Sequence, residues 1–223
     1  MSEEKIQKNK PVRDLFRALL NKLNLAGAVQ LYFDSTIKDD GWFLSYKIKQ
    51  SVDKNGNPIP WNTYPFLAFI EPRLKSEFDV FEYGSGNSTI WYAQKVRSIV
   101  AVEHDKEWYD KIKETMPKNA EIILSSDSDP EIYAGEISKR NKRFHIIIVD
   151  GIFRNESLAA SLNYLSEDGV IVFDDAERDD YNKSFKLLKE KGFRRIDFRG
   201  MRGITSIANA TAIFYRDNNC LNI

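Results

Sequence analysis

The chain has 223 residues, of which 42% are hydrophobic and 13% aromatic, and its 33 basic residues balance its 33 acidic residues. That composition supplies a packed core, and the zero net charge weighs against nucleic acid or an anionic membrane as the main partner. The single cysteine, Cys220, excludes an internal disulfide and a zinc site made of several cysteines. Since no apolar leader or bilayer-length apolar run is visible, we expect a cytoplasmic protein.

Residues 1–60 are predicted to form a helical extension, beginning with a polar tail over residues 1–10. Apolar residues then recur at helical spacing between residues 12 and 29, which predicts an amphipathic helix. The members of this stripe are Leu15, Phe16, Leu19, Leu20 and Leu23. A turn is predicted at Asp53–Pro58, where Asn55-Gly56 favours a tight reversal. We expect the extension to shape acceptor specificity or to form a homodimer contact.

Residues 61–223 are predicted to form one α/β domain that opens with a helix over residues 61–74. Short apolar segments then alternate with helical ones, which is typical of a parallel sheet covered on both faces. The strand segments are residues 79–83, 98–103, 120–125, 144–149 and 169–174, and the helical segments are 88–96, 105–115, 128–140, 155–165 and 181–191. Two more strand-like runs, at 193–198 and 210–216, predict a closing antiparallel pair. The polar loop over residues 201–209 is predicted to act as a lid.

The loop Glu82-Tyr83-Gly84-Ser85-Gly86 follows the first predicted strand of this sheet. Glycines there permit a sharp turn and a close approach of a ligand to the backbone. Glu103, about twenty residues further on, is placed to take two ribose hydroxyls. A nicotinamide-type fingerprint needs a third glycine where this chain has Thr89. Glu82 would repel a pyrophosphate but favour an ammonium and a sulfonium, so the loop predicts a sulfonium cofactor.

The E-x-G-x-G pattern of this loop resembles the first motif of class I S-adenosylmethionine-dependent methyltransferases. The resemblance continues at Val102-Glu103, at Ile148–Gly151 and at Gly169–Asp174, and covers residues 60–216. It implies a Rossmann-like, doubly wound, mostly parallel seven-stranded sheet with a C-terminal antiparallel pair, and S-adenosylmethionine as cofactor. The cofactor-binding residues that it implies are Glu82, Tyr83, Gly84, Ser85, Gly86, Ser88, Thr89, Glu103, His104, Asp127 and Asp150.

The resemblance also assigns several of these residues to particular parts of the cofactor. Glu82 and the Gly84 and Gly86 backbone would hold the methionine portion. Glu103 would take the ribose hydroxyls. Asp127 would lie against the adenine amino group, a position for which the segment 125–129 offers several candidates. The finer pattern around the glycine loop and Trp108 resembles a bacterial branch whose members act on small molecules or glycan precursors.

Three carboxylates follow the predicted fourth and fifth strands: Asp150, Asp174 and Asp175. Carboxylates at neighbouring strand ends can hold Mg²⁺ or another divalent cation, which would orient an acceptor hydroxyl and lower its pKa. Asp150 and Asp175 are also candidate catalytic residues, with Asp150 as a direct proton acceptor. Turn formation at Asp150-Gly151 and helix capping by Asp174 or Asp175 are the structural alternatives.

The chain is therefore expected to transfer a methyl group to an oxygen or nitrogen of a small-molecule or glycan-precursor acceptor. Two other classes stay open at this point. A nicotinamide-dependent oxidoreductase shares the first half of the fold and the ribose acid. A non-catalytic protein of the same fold could bind a nucleoside ligand without turnover. No nucleic-acid or membrane partner is expected.

Overall fold

The computed structural model describes residues 10–223, and their side chains from Asp14 onward. The predicted tail over residues 1–10 thus lies almost wholly outside the described residues. The predicted single helix over 12–29 is two helices, because Asn24 adopts a left-handed φ of 56° that breaks it. The N-terminal helices are α1 (Lys10–Lys22), α2 (Ala26–Phe33), α3 (Thr36–Asp39) and α4 (Trp42–Ile48).

The next helix, α5, spans Tyr64–Ile70 and is shorter than the predicted helix over residues 61–74. Pro65 fits its first turn, because the N–H that proline lacks would have no partner within the helix there. Pro72 cannot donate the next helical hydrogen bond, so the chain tightens into a 3₁₀ turn over Glu71–Arg73 and stops.

Seven strands form one mixed sheet in the order β3-β2-β1-β4-β5-β7-β6. They are β1 (Asp79–Tyr83), β2 (Ser98–Glu103), β3 (Ala120–Leu124), β4 (Phe144–Val149), β5 (Leu165–Phe173), β6 (Arg194–Arg202) and β7 (Thr205–Tyr215). The first five pair in parallel, and β7 pairs antiparallel with both β5 and β6. This confirms the predicted fold class, that of class I methyltransferases. The helices between the strands are α6 (Asn87–Ala93), α7 (Lys106–Ile112), α8 (Pro130–Gly135), α9 (Arg154–Ser161) and α10 (Asn182–Glu190).

Both faces of the sheet are covered by apolar side chains. Along β1, Val80 belongs to one buried cluster and Phe81 to the other, as the two-residue period of a strand requires. The same alternation runs along β4, where Ile146 and Ile147 face opposite sides. This two-sided burial explains why the central strands read as continuous apolar runs.

The prediction of a polar lid loop over residues 201–209 is wrong. β6 and β7 form one hairpin whose register pairs Arg202 with Thr205, so only Gly203 and Ile204 remain as the turn. The polar residues there are strand residues beyond the core, which local sequence patterns do not distinguish from a loop. Within residues 10–223, no helix is long and apolar enough to cross a membrane.

Candidate cofactor and acceptor site

The carboxyl ends of β1 and β4 lie side by side and bring the glycine loop against Asp150. Glu82 and Tyr83 are in register with Ile148 and Val149. Gly84 then turns with a φ of +98°, and a Cβ at that position would lie 3.2 Å from the backbone of Asp150. A side chain at Gly84 would therefore meet both conformational strain and a steric clash.

Glu82 is buried at the end of β1 and organises the loop. Its carboxylate accepts hydrogen bonds from the hydroxyls of Ser88 and Thr89, the latter at 2.6 Å. The Thr89 hydroxyl in turn accepts the Gly86 N–H at 3.1 Å. Burial raises the pKa of Glu82 to about 7, although the two hydroxyls act in the opposite direction.

Glu103 lies at the end of β2 and supports the same loop from the other side. One of its oxygens accepts the Ser85 hydroxyl at 2.6 Å, and the other accepts the backbone N–H groups of His104 and Asp105 at 2.9 Å each. The indole N–H of Trp108 donates to the Ser85 carbonyl at 3.0 Å. Glu103 thus fixes the position of the loop through Ser85.

A cavity of about 760 Å³ runs from the glycine loop to the ends of β4 and β5. Residues before the sheet close one side of it, namely Lys49, Gln50, Ser51, Val52, Gly56 and Pro58. Asn87 at the start of α6 donates to the Ser51 carbonyl at 2.7 Å and ties this segment to the glycine loop. Sequence reasoning identified only a turn here. We call residues 49–58 the N-terminal strap.

The predicted cofactor residues fall into two groups. The cavity is lined by Glu82, Gly84, Ser85, Gly86, Ser88 and Asp150. The other five predicted residues are not part of the cavity lining within residues 10–223: Tyr83, Thr89, Glu103, His104 and Asp127. Tyr83 points into the core and donates to the Ala134 carbonyl at 2.7 Å. Asp127 is exposed after β3 and accepts the N–H of Asp129.

Ser125 also follows β3 and belongs to the segment 125–129, which holds the candidates for the adenine contact. It is buried, and within residues 10–223 its hydroxyl has no hydrogen-bond partner. A buried hydroxyl without a partner is unfavourable, and a bound polar group can relieve it. The signal in the sequence was the position directly after a strand, which Ser125 shares with Asp150.

The other half of the cavity, which we call the acceptor half, is built from Trp61, three carboxylates, three arginines and Ile204. The carboxylates are Asp150, Asp174 and Asp175, and the arginines are Arg154, Arg178 and Arg202. Arg154 donates to Asp150 at 3.0 Å, and Arg202 Nη1 bridges Asp174 at 2.9 Å and Asp175 at 3.1 Å.

These contacts correct the predicted metal site on Asp150, Asp174 and Asp175. Within the part of the chain that the structure describes, no group of three or more histidine, cysteine or acidic side chains is placed to hold a metal ion. Each of the three carboxylates instead pairs with a guanidinium group through at least one of its oxygens. Arg202 lies 28 residues from Asp174 and 27 from Asp175, so no local sequence pattern signals these two pairs, whereas Arg154 is near Asp150 in the sequence.

Two of these carboxyl groups, those of Asp150 and Asp174, have raised pKa values. Burial raises the pKa of Asp150 well above its ordinary value, and the nearby Asp174 adds to the effect. Burial likewise raises the pKa of Asp174, against the hydrogen bond that it accepts from the Thr211 hydroxyl at 2.6 Å.

The arginines of β6 and of the segment after β7 lie in different surroundings. Of this group, Arg202 lines the cavity. Arg194 pairs with Asp217 and Arg195 with Asp197 at the edge of the sheet. Arg216 donates to the Ser166 carbonyl.

Solved structures similar to this chain have the same fold. A precorrin-6y C5,15-methyltransferase from Geobacter metallireducens aligns at a TM-score of 0.54 with 16% identity, covering 69% of this chain and 87% of that one. A TehB-like SAM-dependent methyltransferase from Corynebacterium glutamicum aligns at 0.51 with 15% identity, covering 69% and 88%. An rRNA methylase from Streptococcus thermophilus aligns at 0.50 with 15% identity, covering 67% and 93%. No protein-family model and no curated protein sequence matches the chain.

Proposed function

We propose that this chain is an S-adenosylmethionine-dependent methyltransferase whose acceptor is a small molecule or a glycan precursor. The observation that carries the proposal is one continuous cavity, which joins the Glu82 glycine loop to Asp150 and the ends of β4 and β5. In an open α/β sheet, ligands bind outside the carboxyl ends of the strands. A donor and an acceptor could therefore meet in this cavity.

The residues present fit the cofactor. Gly84 and Gly86 line the cavity without side chains, and the carboxylate of Glu82 in the same wall suits a ligand with an ammonium group and a sulfonium. When bound, S-adenosylmethionine supplies an electrophilic methyl group.

The chain's own contribution would be to hold the acceptor, exclude water and take up a proton. Asp150 is the best-placed proton acceptor, because its carboxyl lines the cavity and is about one-quarter exposed. Its raised pKa makes it a stronger base than an ordinary aspartate. Asp175 is less suitable as a base, since Arg178 and Arg202 both pair with it. We assign Asp175 a role in positioning these arginines.

The proposed donor is tested by calorimetric titration of the full-length protein with S-adenosylmethionine, S-adenosylhomocysteine and NAD. We expect the first two to bind and NAD to leave the protein unchanged. Binding of NAD alone would favour the oxidoreductase reading and end this proposal. Asp150→Asn serves as a second probe: it should retain S-adenosylhomocysteine and lose turnover once an acceptor is known. Full turnover by Asp150→Asn would remove the proposed base.

A further inference from the structure

The acceptor half of the cavity indicates the class of acceptor, an inference that rests on the proposed function. Its charged groups are not equivalent. Arg154 is 11% exposed and donates to the Gly151 carbonyl, to the Asp174 carbonyl and to the Asp150 carboxylate. Because its donors are used within the protein, Arg154 serves the structure of the strand ends.

Arg178 and Arg202 are placed differently. Arg178 is 51% exposed, lines the cavity and pairs with Asp175 at 2.5 Å. Arg202 uses Nη1 for its two carboxylates, while its Nε is buried without a hydrogen-bond partner in residues 10–223. An arginine presents five N–H donors in a planar fork, so one or two carboxylate contacts do not exhaust it.

Trp61 supplies an apolar surface beside these cations. The Arg202 guanidinium lies 4.7 Å from the centre of the indole ring, and the indole N–H donates to the Gly203 carbonyl at 2.5 Å. These two contacts fix the ring at the cavity wall, where it is 43% exposed. A fixed, half-exposed aromatic ring next to arginines can bind a ligand that has both an apolar or ring-shaped part and an anionic part.

The net charge of the cavity wall also favours a ligand with an anionic part. Its acidic residues are Glu82, Asp150, Asp174 and Asp175, and its basic residues are Lys49, Lys111, Arg154, Arg178 and Arg202. Basic residues are in excess by one even when every carboxylate is ionised. A cleft with a positive excess attracts anions.

We propose that the acceptor carries an oxyanion, a phosphate or a carboxylate, which Arg178 and Arg202 hold while the rest of the molecule lies against Trp61. Charge-assisted hydrogen bonds of this kind are strong and directional. The acceptor would therefore be an acidic small molecule or a phosphorylated precursor.

The test uses the full chain, saturated with S-adenosylhomocysteine, titrated calorimetrically with inorganic pyrophosphate and separately with malonate at constant ionic strength. We expect at least one of the two to bind, and the one that binds tighter identifies phosphate or carboxylate as the group. Arg178→Gln should weaken that binding about tenfold, the loss of one charge-assisted hydrogen bond. Arg194→Gln is the matched control, because Arg194 is exposed, pairs with Asp217 and lies outside the cavity lining.

The results separate the two proposals. Binding of S-adenosylhomocysteine with no binding of pyrophosphate or malonate would overturn the oxyanion proposal and leave the donor assignment intact. Equal anion affinity in wild type and Arg178→Gln would also overturn it. Failure of S-adenosylhomocysteine to bind would count against the proposed function. The anion titration is then repeated without S-adenosylhomocysteine. If pyrophosphate or malonate binds wild type and Arg194→Gln but not Arg178→Gln, the result would still support an oxyanion site. Arg178→Gln should keep the S-adenosylhomocysteine affinity of wild type, which shows that the variant is folded.

Discussion

Arg154 links the two strand ends on which the acceptor half depends. Its guanidinium contacts Asp150 after β4 and the Asp174 carbonyl after β5, and a weaker ion pair reaches Asp175 at 3.4 Å. Buried carboxylates left without a cation are costly, whereas exposed ion pairs contribute little. The stability of the site therefore depends on this residue more than on any surface pair.

The Arg154→Leu variant should lose about 3 kcal/mol of unfolding free energy, because it leaves the Asp150 carboxylate without its cation, whereas Asp174 and Asp175 keep Arg202. Arg194→Leu breaks the exposed pair with Asp217 and should lose less than about 1 kcal/mol. Urea denaturation followed by circular dichroism measures both. Equal losses in the two variants would show that Arg154 does not stabilise the strand ends.

Glu82 gives the protein a defined pH dependence. Burial raises its pKa from the ordinary 4.5 to about 7. Because the pKa is higher in the folded state, the native protein keeps a proton that the unfolded chain has already released within this window. The free energy of unfolding therefore falls as the pH rises from 4.5 to 7, by about 3 kcal/mol for this group.

Glu82→Gln should remove that part of the pH dependence, since an amide does not titrate. The measurement is the unfolding free energy from urea denaturation at pH 5 and pH 8. The difference between the two pH values should be smaller in Glu82→Gln than in wild type, and unchanged in Glu190→Gln, whose side chain is 62% exposed. The same difference in all three proteins would contradict the raised pKa of Glu82.

At the scale of elements, the glycine loop is held from three directions. Glu82 of β1 fixes the first turn of α6, Glu103 of β2 fixes Ser85, and the backbone after β4 lies against Gly84. The loop is short because each strand end directly supplies a contact. Its shape is thus a consequence of how the parallel strands align.

Gly84 and Gly56 form a matched pair for testing this arrangement. Both have left-handed φ values, +98° and +88°, but a Cβ at Gly56 meets nothing within 4 Å. Gly56→Ala should cost about 1 kcal/mol, the strain of a left-handed alanine. Gly84→Ala should cost more, because the Asp150 backbone must shift, and it should also lose S-adenosylhomocysteine binding.

Urea denaturation and calorimetric titration of the two alanine variants provide the comparison. If Gly84→Ala is no less stable than Gly56→Ala and still binds S-adenosylhomocysteine, the close approach of Gly84 to Asp150 has no role in the site.

At the scale of the whole molecule, the cavity is assembled from distant parts of the chain. The N-terminal strap, the glycine loop, the strand ends and the β6–β7 hairpin all contribute. Trp42 donates to the Thr205 carbonyl at 2.7 Å and Trp61 to the Gly203 carbonyl, so the helices before the sheet are tied to its last hairpin. The zero net charge of the chain conceals this local concentration of charged groups.

Binding of S-adenosylhomocysteine should slow amide hydrogen exchange several-fold in the N-terminal strap, residues 49–58, because these residues line the same cavity as the glycine loop. Helix α10, Asn182–Glu190, serves as the internal reference and should exchange equally with and without ligand. Slowing confined to the glycine loop, with no change in the strap, would show that the strap takes no part in ligand binding.

The sequence alone determined the parts of this protein that depend on neighbouring residues. The alternation of apolar strands with helices predicted the sheet. The spacing of the glycines and Glu82 predicted a ligand-binding loop, and the structure places this loop at the cavity. Both predictions were possible because the backbone conformation and the burial of a segment depend mainly on its own residues. Only the tertiary structure decided the rest. Arg202 pairs with Asp174 across 28 residues, and Trp61 reaches Gly203 across 142. No local pattern encodes contacts over such separations, so the pairing of Arg202 with Asp174 and Asp175 and the strap along one side of the cavity became visible only once the chain was folded.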